Sequence, residues 1–223
     1  MVEPEWLDRL APEDARARRS RRDLIRLNGW MGNARLIARA LRKGLPEGPA
    51  SLADLGCGDG TAMLAVARRI ACPGASVTLV DRQHAITQST ISAFGALGWS
   101  VQCAAVDVFD WLADAPPFSA VTANLFLHHF ESPALERMLS MIAQKTRFFA
   151  ACEPRRSRLG CWVAGRLGIF GASEVTRNDA PISVRAGFKG RELTGLWPAG
   201  RWDCREGACG IFSHLFVAHS KDA

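Results

Sequence analysis

The chain has 223 residues, 48% of them hydrophobic, with a formal net charge of +6 at pH 7. That length suits one large domain with enough apolar content to bury a core, and no run approaches the roughly 20 continuous apolar residues of a membrane-spanning helix. The opening stretch "MVEPEWLDRLAPEDARARR" has acids and no apolar h-region, unlike a secretory signal. Seven cysteines, an odd number without a CxxC pair, argue against a disulfide framework or a ladder of metal ligands. Cys57, Cys103 and Cys152 lie in or beside apolar runs, where cysteine is a small core residue, so a reducing, cytoplasmic setting is expected.

Residues 3–43 read as helical, with Leu24, Leu27 and Met31 at i, i+3 and i+7 and a break around "NGWMGN". Arg16, Arg18, Arg19, Arg21, Arg22 and Arg26 crowd this segment, and Arg155, Arg156 and Arg158 form a second cluster. A solvated helix face is the plain reading; an acidic membrane surface, an anionic substrate or nucleic acid are the alternatives.

From Ser51 onward short β-rich runs alternate with helical ones. Strands are predicted at 51–55, 76–81, 100–106, 120–124 and 147–152, and helices at 61–70, 85–97 and 133–144. This alternation implies βαβ units and a mostly parallel sheet. Further on, "RELTGLW" reads as a short helix, and "RWDCREG" with "IFSHLFVAHS" as a closing antiparallel hairpin. The expected fold is α/β: a Rossmann-like, doubly wound, mostly parallel sheet with a terminal antiparallel strand. Residues 1–45 would form an N-terminal helical cap or lid, and residues 46–223 the main domain. Right-handed crossovers would gather the loops after the strands on one edge: Gly56–Gly60, Asp81, Asp107, Asn124 and Glu153.

Three glycines in five residues follow the first strand, in "DLGCGDGTA". Such a turn lets the backbone bend tightly or approach a ligand. The dinucleotide fingerprint G-x-G-x-x-G fits poorly, because Thr61 stands at its third glycine and Asp59 would face a pyrophosphate. With Asp54 included, the pattern D-x-G-x-G-x-G resembles motif I of class I S-adenosylmethionine-dependent methyltransferases, over about Leu52 to Cys152. That resemblance implies S-adenosylmethionine as cofactor and S-adenosylhomocysteine as product. It places Asp54 near the amino-acid moiety, and Gly56 and Gly58 against the nucleoside and methionyl groups. Asp81 would accept from both ribose hydroxyls and Asp107 from the adenine amino group, with Val108 packing nearby. Asn124 would line the gap between donor and acceptor. Cys57 and Arg82 join this cofactor set.

The acceptor is read by exclusion and resemblance. Amino methylation of nucleic-acid bases uses a [DNS]-P-P-[YFW] turn after the fourth strand, and this chain has "NLFL". No carboxylate–amide set for a divalent ion stands out, so no metal is expected. "NLFLHHFESPAL" is similar to small-molecule methyltransferases of the ubiquinone/menaquinone-biosynthesis type. "VTRNDAPISVRAGFKGRELTGLWP" resembles bacterial methyltransferases encoded beside type III polyketide synthases. These resemblances imply O-methylation of a small, largely apolar phenolic or pyrone-like polyketide in secondary metabolism. His129 is the preferred general base and His128 the second candidate, each also able to serve only in packing or orientation. Trp30, Asp179 and Arg185 are expected at the acceptor. The apolar "CWVAGRLGIFG" favours an apolar acceptor. His214 reads as structural, and Glu153 as a helix cap or loop-fixing group, with catalysis the alternative. The expected partner is a small molecule rather than DNA or RNA, with peripheral membrane contact through the arginine clusters left open. Two competing readings remain: a non-catalytic S-adenosylmethionine-binding subunit, and an RNA methyltransferase using the arginine-rich arm. An exposed methyl donor would need a cover, and the stretch Leu24–Met31 with Trp30 has the parts of a lid.

Overall fold

The computed structural model describes residues 3–45 and 47–221. In chain order it contains α1 (Ala15–Met31), α2 (Asn33–Gly44), β1 (Ser51–Leu55), α3 (Thr61–Ile70), β2 (Ser76–Asp81), α4 (Gln88–Gly95) and β3 (Ser100–Ala105). Then follow α5 (Val108–Asp114), β4 (Ala120–Asn124), α6 (Ser132–Lys145), β5 (Phe148–Pro154), α7 (Arg158–Ala164), α8 (Glu174–Ala186), α9 (Glu192–Leu196), β6 (Trp202–Cys209) and β7 (Ser213–Ser220). Short 3-10 turns lie at Leu7–Arg9, Leu127–His129 and Leu167–Phe170.

The seven strands form one sheet in the order β3-β2-β1-β4-β5-β7-β6. The first five are parallel, β7 runs antiparallel to β5, and β6 closes the sheet as its hairpin partner. Strands buried on both faces read as continuous apolar runs, and β5, "FFAACEP", is buried throughout. The edge strand β3 is mostly exposed, which accounts for its polar Ser100 and Gln102.

Alternate residues of each central strand feed two separate cores. Ala53, Leu55, Val121, Ala123, Phe149 and Ala151 pack with α6, α9 and β7 on one face. Leu52, Val77, Leu79, Phe148 and Ala150 pack with α2, α3 and α4 on the other. The cap is therefore not a separate body: Ile37, Ala38 and Leu41 of α2 are part of the second core. The break between α1 and α2 is Gly32, which takes the left-handed conformation (φ 71°) as the shared cap of both helices.

Several boundaries move for identifiable reasons. The fifth strand runs on to Pro154 because β7 pairs with it there, Glu153 with His214 and Pro154 with Ser213. The third ends one residue earlier, at Ala105, since Asp107 caps α5 through its Oδ1 and the Phe109 N–H (2.8 Å). α4 begins only at Gln88, where Thr87 caps it. α5, α7 and α8 go beyond the expected helices: the first two are seven residues long, and the third carries Pro181 in its interior. Among the described residues, no helix is long and apolar enough to cross a membrane.

Candidate active site

The carboxyl ends of β1, β2, β4 and β5 open onto a cavity of about 550 Å³. Its floor is the glycine turn. Gly56, Gly58 and Gly60 all have positive φ (65°, 57° and 76°), a conformation other residues adopt only with strain. A Cβ on Gly56 would also stand 2.1 Å from the Phe126 ring, so the first glycine lets β1 and the loop after β4 come together. At Gly58 a Cβ would meet no atom within 4 Å, leaving bare backbone beside the cavity.

The acids around the turn are in distinct states. Asp81 is spanned by two backbone donors: Gly58 N–H to Oδ2 (2.8 Å) and Gln83 N–H to Oδ1 (2.8 Å). Each oxygen keeps a second lone pair, so the carboxylate is oriented and still able to accept from a vicinal diol. Asp107 spends Oδ1 on capping α5 and presents a second acceptor oxygen at the same edge. Asp54 is 3% exposed, accepts the Thr122 hydroxyl at 2.7 Å, and is pushed up to about 7 by burial, with the nearby Asp81 charge adding to the rise. A carboxyl in that condition gains most from a cationic neighbour. Asp54, Asp59 and Asp81 together oppose a pyrophosphate and suit a phosphate-free cofactor carrying ammonium and sulfonium groups. Thus Asp54, Gly56, Cys57, Gly58, Asp81, Arg82, Asp107, Val108 and Asn124 all border this one cavity.

The opposite end is built around the two histidines. Leu125, just after β4, sits in the left-handed region (φ 53°), unusual for a residue with a side chain. The turn it starts places His128 and His129 side by side, ring centroids 4.3 Å apart. Glu153, fully buried, accepts the N–H groups of Phe126 (3.0 Å) and Leu127 (2.9 Å) and binds His128 Nδ1 at 2.7 Å. It therefore fixes the loop, as the sequence suggested, although from within β5 rather than from its end. The other nitrogen of His128 faces Glu5 Oε1 at 3.5 Å. Burial by itself would lower the His128 pKa, but the hydrogen bonds to Glu153 and Glu5 outweigh it and raise it to about 9. His128 is thus an imidazolium at neutral pH, clamped between two carboxylates. His129 is partly exposed on the cavity wall, its Nδ1 3.4 Å from Asp8 Oδ2. Glu5, His128 and His129 are also the one grouping among the described residues whose ligating atoms all lie within 4.8 Å. Phe126 and Phe130, ring centroids 5.0 Å apart, give this end an apolar wall.

Glu5 and Asp8 belong to the start of the stretch expected as helix, but α1 begins only at Ala15, after the Asp14 cap, and residues 3–14 are irregular apart from the 3-10 turn Leu7–Arg9. This segment contributes Glu3, Pro4, Glu5, Leu7 and Asp8 to the cavity wall and is tied down along its length. Asp179 accepts the N–H groups of Trp6 (2.9 Å) and Leu7 (3.0 Å), and the Ser183 hydroxyl donates to Glu5. Gln83 donates to the carbonyls of Asp8 (3.3 Å) and Leu10 (3.4 Å). Burial opposes ionisation of Glu5, yet its bond and charge interaction with the histidines hold its pKa below the usual range. No local pattern marks "EPEWLDRL" as site-forming, because every one of these partners is far away in the chain.

A second link joins cap to site through amides. Asn33 Nδ2 donates to Asn124 Oδ1 (2.9 Å) and Asn28 Oδ1 (3.1 Å), and Asn124 Nδ2 donates to Asn28 Oδ1 (3.1 Å). The Ser213 hydroxyl closes the set on Asn33 Oδ1 at 2.7 Å. Asn124 is thereby held rigidly, with Asn28 of α1 beside it on the cavity wall.

Three residues expected at the acceptor lie outside the cavity lining. Trp30 is 72% exposed on the outer side of α1, against Phe170. Asp179 is buried as the anchor of the N-terminal segment, and Arg185 pairs with Glu3 at 3.6 Å. Periodicity could not separate the outer side of α1 from the inner one, which instead offers Arg21, Leu24, Ile25 and Asn28. The apolar stretch 161–171 is likewise absent from the cavity lining: Ala164 and Leu167 are buried elsewhere, and Trp162, Ile169 and Phe170 are exposed. His214 is buried against Glu206 (2.8 Å), a structural pair in the terminal hairpin.

Residues 52–147 match the family described as a methyltransferase domain. No curated protein matches the chain. Among solved structures, the plantazolicin methyltransferase BpumL in complex with SAH is similar, at 12% identity and a TM-score of 0.67, over 93% of this chain and 91% of that one. An O-methyltransferase family protein from Burkholderia thailandensis is 15% identical, TM-score 0.65, over 93% of this chain and 60% of that one. Magnesium protoporphyrin IX methyltransferase from Synechocystis PCC 6803, solved with SAM, is 14% identical, TM-score 0.58, over 88% and 81% of the two chains. Sheet order, glycine turn and family match agree: residues 52–147 match a methyltransferase domain, within a Rossmann-like methyltransferase fold.

Proposed function

We propose that this protein transfers a methyl group from S-adenosylmethionine to an oxygen of a small, largely apolar acceptor, with a phenolic or pyrone-like polyketide as the favoured class. The observation that carries the reading is one cavity with a glycine-and-acid floor at one end and a histidine pair against phenylalanines at the other. When bound, the cofactor supplies a methyl group on a sulfonium, an electrophile that needs an aligned nucleophile and little else. Asp81 and Asp107 fit the ribose and adenine, and Asp54 with the glycine backbone fits the methionyl end. Asn124, held by Asn28 and Asn33, would fix the boundary between donor and acceptor.

Orientation in such a site is worth roughly 7–11 kcal/mol, against roughly 3–5 kcal/mol from a general base. Most of the acceleration is therefore assigned to the walls. His129 is assigned the acceptor proton. His128, already protonated at neutral pH, holds the loop through Glu153 and the covering segment through Glu5. Residues 3–10, with the inner side of α1, would exclude water during transfer.

The test is incubation of the purified chain with S-adenosylmethionine and a panel of phenols and alkyl-pyrones, read by mass spectrometry. A product one methylene heavier and resistant to demethylation by mild base supports the reading as an aryl or enol ether. Methylation confined to amine or RNA substrates, or none in any class, overturns it.

A further inference from the structure

The exposed side of α1 carries Arg19, Arg22, Arg26 and Trp30 at helical spacing of three, four and four residues. At its end Trp30, 72% exposed, meets the 63% exposed Phe170 edge to face, ring centroids 6.0 Å apart. Ile169 beside it is 79% exposed, and α7 adds Leu159 and Trp162 at 52% and 56%. Arg166 lies over the Trp162 ring at 4.0 Å, and Arg158 is exposed at the start of the same helix. The one acid of α1, Asp23, is buried, where Oδ2 accepts from Ser173 and Thr176. Its other oxygen lies 3.7 Å from Arg26, so Arg26 is partly neutralised, while Arg19 and Arg22 make no ion pair with it. Glu174, at the start of α8, is the exposed acid closest in sequence to this tip. Exposed large apolar side chains on α1, α7 and the Leu167–Phe170 turn, interspersed with exposed arginines, are more than scattered single surface residues.

We propose that this face docks on an anionic lipid bilayer surface, with Trp162, Ile169 and Phe170 entering the headgroup–acyl boundary and the arginines contacting lipid phosphates. Charge complementarity selects that occupant. A two-fold contact with a second copy would bring the same arginines of both chains together. Nucleic acid would meet the arginines but gains nothing from Leu159 and Ile169, which have no ring to stack on bases. Tryptophan and phenylalanine backed by arginine is the composition of interfacial anchors. The opposite side of α1 lines the cavity, so an apolar molecule dissolved in the bilayer would reach the site along the helix that docks.

The experiment is co-sedimentation of the full chain with phosphatidylcholine vesicles, with and without phosphatidylglycerol. Expected is pelleting with the anionic vesicles alone, reduced by added salt. Each arginine near such a surface contributes about a fivefold gain in partitioning. Arg19→Glu with Arg22→Glu, and separately Ile169→Ser with Phe170→Ser, should each lower partitioning at least about tenfold while S-adenosylhomocysteine affinity stays unchanged. If the apolar pair unfolds, Trp162→Ser supplies the same readout. A wild-type chain that stays in the supernatant, or pelleting that these variants leave intact, overturns the proposal. A dimer dissolved by Phe170→Ser, with no vesicle binding, gives the face to a second copy instead. RNA retention abolished by the arginine variants, again without vesicle binding, gives it to nucleic acid.

Discussion

The two ends of the cavity are built in opposite ways. At the glycine end each functional residue sits where a strand stops, and its partners are either a few positions away (Asp107 with Phe109, Asp81 with Gln83) or on the neighbouring strand or its end, as Asp81 with Gly58 and Asp54 with Thr122. At the histidine end the partners come from across the chain. Glu5, Glu153 and Ser183 converge on one spot from the N-terminal segment, β5 and α8. Parallel β topology makes the first kind of site almost by itself. The second kind exists only when the whole chain has folded, and it is where the choice of acceptor is expected to reside.

The contrast is broken most severely by removing the distant partner. Deleting residues 1–10 takes away Glu5, Asp8 and the cover held by Asp179 and Gln83 while leaving both cores intact. The truncated chain should fold and bind S-adenosylhomocysteine, yet lose at least about 10²-fold in kcat, the scale on which misplaced reactants fail. Stopped assays and calorimetry on the same preparation check both halves; full activity would show that the segment is dispensable. Next in size, His129→Ala should lower kcat by about 10²-fold with cofactor affinity nearly unchanged. A loss below about tenfold would return His129 to an orienting role.

Smaller effects come from the two groups with displaced titrations. Asp54 keeps its proton up to about pH 7 in the fold, whereas an unfolded chain ionises it near 4. Stability is therefore lost as pH rises between those values and stays lower above them. Asp54→Asn should raise stability at pH 8 by about 1–3 kcal/mol, seen in denaturant titration, while weakening cofactor binding. In the wild type, affinity for the cationic cofactor should climb about tenfold from pH 6 to pH 8 as Asp54 ionises. His128 has the reverse sign. Its pKa is raised from 6.5 to about 9, so its contribution is complete below 6.5 and disappears as pH passes through 9. Melting temperature should fall across that range, and Glu5→Gln should flatten the fall.

These differences explain what was legible in the sequence. The β1, β2 and β4 boundaries, the α3 span and the glycine–acid set follow from short apolar runs that end in turn-forming or polar residues, all carried by nearby positions. Trp30, expected at the acceptor, lies on the outer side of α1, because that helix is oriented by its packing against α8, α2 and α3, which its sequence alone does not carry. Asp179 looked like a pocket acid, yet its charge is spent on two backbone N–H groups some 170 positions earlier, at separations of 173 and 172 residues. Pairing of that range leaves no periodic trace. The asparagine set of Asn28, Asn33 and Asn124 was half visible, since Asn124 stood at a strand end and the other two only looked like helix breakers.

The central claim is that the glycine-and-acid floor holds S-adenosylmethionine, with Asp81 gripping its ribose. It is tested most directly by calorimetric titration of S-adenosylhomocysteine into the wild type and Asp81→Ala, with NAD as the competing ligand. The expected result is binding in the wild type, a loss of about 1.5–3 kcal/mol in the variant, the range for hydrogen bonds to a charged group, and no NAD binding. Equal affinity in the two chains, or tight binding of NAD, would contradict it.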